Sequence, residues 1–242
     1  MSGGDGNDTY LVDSTSDTVT ENSSEGTDVI QSSVTYTASS NVENLTLTGS
    51  SDINATGNSL DNTLTGNAGA NTLDGDEGDD ALFGGDGDDQ LIGGTGKDTA
   101  VFSSKSNVIN LSTTKKQNTK DGKDILIGIE NVNGGGGKDK LYGSKGSNIL
   151  NGGTGNDLLV GGLGNDKLIG GKGKDIFKLS TGKGYDLIQD FKDKEDKIFI
   201  GSMKKLKLKN KGNDVYIYKG KDLLANVKGA KGVLSKKRKY LV

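Results

Sequence analysis

Eleven acidic or amide residues stand at one fixed place in a nine-residue unit, and their chemistry is that of hard oxygen ligands. Two blocks of five units carry ten of them. The first runs GNSLDNTLT, GNAGANTLD, GDEGDDALF, GGDGDDQLI, GGTGKDTAV from Gly57 to Val101. The second runs GGGGKDKLY, GSKGSNILN, GGTGNDLLV, GGLGNDKLI, GGKGKDIFK from Gly134 to Lys178. The sixth place is Asn62, Asn71, Asp80, Asp89 and Asp98, then Asp139, Asn148, Asp157, Asp166 and Asp175. An eleventh unit, GGDGNDTYL, spans Gly3 to Leu11 and puts Asp8 there. Calcium takes six to eight oxygens in irregular geometry, from carboxylates and backbone carbonyls alike, whereas magnesium needs a tighter octahedron and keeps its waters. Glycine-rich loops offer the carbonyls and Asp the charge, so calcium is the cation that fits.

Other chemistry is poorly served. The chain has no Cys and no His, which removes disulfides, the usual zinc, copper and iron ligands, and the commonest general base. A HExxH metal motif cannot be written and no GxSxG occurs, so no enzyme activity is expected. No apolar run is long enough to span a membrane, and the first residues, MSGGDGNDTYLVDS, do not read as a cleavable signal peptide.

These oxygens need elements to hold them. All ten array units begin with Gly, and nine have Gly at the fourth place, Leu60 being the exception. In the unit Gly84 to Ile92, Gly84, Gly85 and Gly87 are expected to turn the loop through positive φ. Gln90-Leu91-Ile92 then forms a strand with Leu91 inward. Strands this short persist only when stacked, and a fixed short period is the mark of a solenoid. Only 30% of residues are hydrophobic and 40 are Gly, so a closed oily core is out of reach. One large side chain per unit goes inward: Leu64, Leu73, Leu82 and Leu91, then Leu141, Leu150, Leu159, Leu168 and Phe177.

The nonapeptide resembles the calcium-binding repeat of RTX (repeats-in-toxin) proteins. The likeness extends to the flanks: DTYLVDSTSDTVTENSSEGTDVIQSSVTYTASSNVENLTLTG before the first array, KDILIGIENVNGGGGKDKLYG between arrays, and DIFKLSTGKGYDLIQDFKDKEDKIFI after the second. It implies an all-β fold, a parallel β-roll in which two units make one turn. Loops eighteen residues apart then share an edge and hold calcium between them. The ligands implied are the first-position stretches at Gly75, Gly84, Gly93, Gly134, Gly152, Gly161 and Gly170 and the sixth-position side chains. Asp80 pairs with Asp98, Asp139 with Asp157, and Asp157 with Asp175. Asn62 pairs with Asp80, Asn71 with Asp89, and Asn148 with Asp166, as weaker sites. Asp8 finds Gly26, not an acid, eighteen residues on.

Five segments follow: a β flank with one isolated repeat (1–56), the first array (57–102), a β excursion (103–133), the second array (134–178), and a β cap (179–242). Strands are expected at Asp17–Thr20, Thr27–Ile30, Val34–Thr37 and Val42–Thr48, and no helix anywhere. The resemblance further implies a secreted, extracellular protein exported by type I secretion machinery, with its signal in residues 201–242. That segment holds thirteen Lys or Arg against two acids, while residues 1–100 hold nineteen acids and the single basic residue Lys97. The basic end could take an acidic polysaccharide, and the acidic front repels nucleic acid. The alternatives to a free-standing calcium-binding protein are a carbohydrate-binding module and the C-terminal part of a larger secreted adhesin or enzyme.

Overall fold

The computed structural model describes residues 1–242 apart from Lys183, Met203, Arg238 and Lys239. Among the described residues there is no helix, and the chain divides into two units. The first unit is Met1–Phe102 with Thr114–Ile129, and the second is Ser103–Thr113 with Glu130–Val242. The segment between the arrays is therefore shared: its first part belongs with the second array and most of the rest with the first.

Each unit is a parallel β-roll. In the first, strands Thr9–Val12, Val29–Ser32, Asn44–Leu47, Thr63–Thr65, Ala81–Phe83 and Thr99–Val101 pair in parallel, in that order. The facing sheet runs Tyr36–Thr37, Ala55–Thr56, Thr72–Asp74, Gln90–Ile92 and Lys123–Ile127, with Gln117–Asn118 turning back antiparallel at its edge. In the second unit one sheet is Asn131–Asn133, Ile149–Asn151, Lys167–Ile169 and Asp186–Ile188. The other is Val108–Asn110, Lys140–Tyr142, Leu158–Val160, Ile176–Lys178 and Lys197–Phe199.

Successive side chains of a strand point to opposite faces, and each three-residue array strand buries only its middle residue. Leu64, Leu73, Leu82, Leu91, Leu141, Leu150, Leu159, Leu168 and Phe177 are all buried. Ile30 and Leu45 extend that column through the N-terminal flank, and Ile109, Ile188 and Ile198 through the second unit.

Within the arrays the register is eighteen residues, as in Leu64↔Leu82 and Leu141↔Leu159. Outside them the turns vary: Thr9 pairs with Val29, Val29 with Asn44, and Gln90 with Ile125. A roll tolerates this because only the strand and its inward residue must match the neighbour, while loops project at the edges. All four strands expected in the flank differ in extent, Thr27–Ile30 being shifted to Val29–Ser32 and Val42–Thr48 trimmed to Asn44–Leu47. Asp17–Thr20 forms none, although Val19 is buried, and Val34–Thr37 shortens to Tyr36–Thr37. The cap is a meander of Leu206–Lys211, Asp214–Lys219 and Asp222–Val227, whose last strand pairs in parallel with Asp186–Ile188. It replaces an open sheet edge with antiparallel strands.

Candidate metal centre

The sixth-position residues form ladders along the edges of each roll. In all six expected pairs, the backbone N–H of the earlier residue donates to Oδ1 of the later one. Asn62 donates to Asp80, Asp80 to Asp98, and Asn71 to Asp89 in the first unit, at 2.7 to 2.9 Å. Asp139 donates to Asp157, Asp157 to Asp175, and Asn148 to Asp166 in the second, at 2.8 to 2.9 Å. Every one of these side chains is buried.

Oδ1 is thereby used, and Oδ2 is left over. Oδ2 of Asp80, Asp89, Asp157 and Asp175 is buried with no hydrogen-bond partner among the described residues. A carboxylate oxygen taken from water without compensation costs several kcal/mol, so its repeated appearance calls for a partner.

The glycines show where that partner goes. A methyl group on Gly75, Gly84, Gly93, Gly134, Gly152, Gly161 or Gly170 would collide with Oδ2 of the Asp five residues on. At Gly75, Gly134 and Gly152 it would also meet the carbonyl oxygen of the first glycine one turn further. Carboxylate and carbonyl oxygens thus converge on a space that only the missing side chain keeps open. Gly84 is therefore glycine for room and not for conformation, whereas Gly85 (φ 94°) and Gly87 (φ 132°) do take the left-handed turn expected of all three. This donor set, all oxygen and anionic, is the kind calcium binds.

Electrostatics agree. Burial, opposed by the Asn62 N–H and reinforced by Asp98, pushes the Asp80 carboxyl up to about 7. Burial does the same to Asp89, to about 7, and to Asp175, to about 6. Asp98, Asp157 and Asp166 are raised as well, in each case first by burial. These loops resist holding bare negative charge.

The Asn loops close differently. Asn62, Asn71 and Asn148 accept on Oδ1 the N–H of the second loop residue, Asn58, Asn67 and Ser144, at 2.6, 2.8 and 2.7 Å. Their amide nitrogens donate to carbonyls of the preceding turn: Val42 for Asn62, Ile53 for Asn71, Glu130 for Asn148. None of their side-chain atoms is orphaned. The amide N–H groups thus supply hydrogen bonds to the preceding turn that a carboxylate cannot make.

The ladders also extend past the arrays, to residues that period alone does not reveal. Asp89 donates its N–H to Asp124, thirty-five residues on, at 2.9 Å. Asn107 donates to Asp139 and Asp175 to Asp196, at 2.7 and 2.9 Å. Asp186 stands beside Asp166, and burial with the Asp166 charge pushes its carboxyl up to about 8. Asp8 is not without an acidic counterpart: its N–H donates to Asp28, twenty residues on, at 2.8 Å. The signal that finds them is an acid or Asn two places before a buried apolar residue: Asp28 before Ile30, Asn107 before Ile109, Asp124 before Leu126, Asp186 before Ile188, Asp196 before Ile198.

A parallel roll edged with paired, buried carboxylates and side-chain-free glycines defines a class: repeat proteins built to hold hard cations. The profile of the RTX calcium-binding nonapeptide repeat matches residues 1–19, 56–91, 65–100, 126–159 and 151–188, which together cover just over half of the chain. The chain belongs to that family. No curated protein matches it significantly. Among 27 solved chains that match is the crystal structure of the extracellular lipase LipA from Serratia marcescens, at 17% identity and a TM-score of 0.28. That alignment covers 85% of this chain and 43% of the lipase, so the chain spans less than half of the lipase's length.

Proposed function

We propose that this is a secreted, non-enzymatic calcium-binding β-roll whose folding is driven by calcium after export through type I secretion machinery. One observation carries the reading: the buried carboxylate oxygen without a partner, held over a glycine that leaves space, at Asp80, Asp89, Asp157 and Asp175. Those residues, with Asp98, Asp139 and Asp166, would hold calcium together with loop carbonyls such as those of Gly93, Gly152 and Gly170. Bound calcium would supply charge neutralisation and cross-linking of successive loops. Asn62, Asn71 and Asn148, already hydrogen-bonded, would close the ladders as neutral ends.

One large apolar side chain buried per unit is little to set against the conformational entropy of ordering nine residues. The loops add the cost of unpaired charge, so binding and folding become one event. Extracellular calcium modules work at about 10⁻⁴–10⁻³ M, so the chain stays open in a low-calcium cytosol and closes outside. A chain that folds only on arrival suits a narrow export channel. Circular dichroism in chelator, in calcium and in magnesium tests the coupling: β signal is expected only with calcium, and equal signal in chelator refutes it.

A second reading rests on the cap. Lys207, Lys209 and Lys211 are exposed on one strand, with the Lys209 ammonium 4.9 Å from the Tyr218 ring centroid and Lys211 5.9 Å from that of Tyr216. Such a cationic and aromatic face is suited to acidic polysaccharide. The rest of the expected basic run includes Arg238 and Lys239, which lie outside the described residues. Binding to alginate-like polymer that survives Asp157→Asn but not Lys209→Glu with Lys211→Glu would favour this role.

A further inference from the structure

We infer that Asp8, Glu21 and Asp28 form a further site for calcium in the N-terminal flank, with two of its three ligands, Glu21 and Asp28, outside any nonapeptide unit. One carboxylate oxygen from each of the three lies within 4.8 Å of the others. Oxygens sharing one calcium at about 2.3–2.6 Å can be no more than about 5 Å apart, so one ion can reach all three.

The cluster is more than an accumulation of acid. Asp28 is fully buried and Glu21 is 6% exposed. Asp28 Oδ2, Glu21 Oε1 and Asp8 Oδ2 are each buried without a hydrogen-bond partner among the described residues. The other oxygens of two of them are fixed: Asp28 Oδ1 accepts the Asp8 N–H at 2.8 Å, and Glu21 Oε2 accepts the Tyr10 hydroxyl. Two of the three carboxylates are thus locked by one oxygen each, and all three bring a buried, unpartnered oxygen to the cluster. Gly3 bounds that space, since a methyl there would strike Asp8 Oδ2 and the Tyr10 hydroxyl. No side chain of the flank can supply the positive charge, because the first Lys or Arg in the sequence is Lys97.

The ion's class follows from the donors. Three anionic oxygens, in a chain with no His and no Cys, select a hard cation. Calcium accepts such an irregular set, while magnesium would need room for the waters it keeps. The site's place in the fold also gives it work. The turn from Asp8 to Asp28 is longer than an array turn, and Glu21 comes from a stretch with no strand of its own. An ion there ties that stretch to the roll, as loop ions tie successive array turns.

The rival is a carboxylate cluster that shares protons instead of a metal. Ion counting on the full chain separates the two. Native mass spectrometry in calcium is expected to find one ion fewer in Glu21→Gln than in the unaltered chain, with circular dichroism at saturating calcium unchanged. Equal counts in a folded Glu21→Gln overturn the inference. If that variant does not fold, crystals of the unaltered chain soaked in terbium decide it. An anomalous peak among the three carboxylates supports the site, and no peak there overturns it. Peaks in the array loops report separately on the family's own sites, so either reading can fail alone.

Discussion

Changing Asp157 to Asn separates two tasks that one carboxylate performs. Its Oδ1 accepts the Asp139 N–H at 2.8 Å, and the Asn oxygen keeps that bond. Its Oδ2 is buried over Gly152 with no partner among the described residues. Without calcium that oxygen is a burden, and burial accordingly raises the Asp157 carboxyl above the usual range. Asn removes the charge and puts an N–H in its place. An amide at the sixth position is already satisfied at Asn148, where the nitrogen donates to the Glu130 carbonyl at 2.7 Å and Oδ1 accepts the Ser144 N–H of its own loop. With calcium the variant loses one charged ligand contact, worth roughly 1.5–3 kcal/mol by analogy with hydrogen bonds to ions. At about 1.4 kcal/mol per factor of ten, the calcium midpoint rises roughly ten- to a hundredfold. A calcium titration followed by circular dichroism reads this, and the same spectra in chelator give the cation-free state. The expected signature has opposite signs: weaker calcium response, and cation-free structure no lower than in the unaltered chain. A midpoint within about twofold of the unaltered chain refutes the reasoning, as does an equal loss with and without calcium.

Three further outcomes follow from the same geometry. Asp80 and Asp89 at about 7 and Asp175 at about 6 lie above the ordinary carboxylate value, so the folded, cation-free chain binds more protons than the unfolded one. Its penalty is complete above about pH 7 and lifts as pH falls toward about 4, so β signal in chelator should grow on acidification while calcium uptake should release protons. Gly152→Ala puts a methyl into Asp157 Oδ2 and 2.8 Å from the Gly170 carbonyl oxygen, whereas at Gly146 the nearest atom is 3.7 Å away. The first should abolish or strongly weaken the calcium response and the second leave it near normal, by the same titration. Leu159→Ala empties a fully buried position at a cost of roughly 2–5 kcal/mol and should move the calcium midpoint upward, while Leu163→Ala, at a residue 42% exposed, should not.

The arrays were legible because period, loop and inward residue coincide in each unit. Asp80, Asp98 and Leu82 all fall where spacing puts them, since an eighteen-residue turn leaves no freedom in register. The flanks were less legible because a roll fixes strands and not loop lengths. Asp124 joins the ladder only after the chain has left for the second unit and returned, so no period connects it to Asp89. Its local sequence, Gly122-Lys123-Asp124-Ile125-Leu126, nonetheless repeats the second half of an array unit. The period also puts the Asn positions in the ladder, but sequence does not tell an amide with a free oxygen from one that donates to Ile53 or Glu130. Glu21 lies in no motif at all and is brought to Asp28 by tertiary structure alone.

Amide hydrogen exchange of the strands bearing Leu82, Leu91, Leu150, Leu159 and Phe177 tests most directly whether cations stand in for an apolar core. The account predicts fast exchange throughout both arrays in chelator, and strong protection that arrives together with bound calcium. Strands equally protected in chelator and in calcium would contradict it.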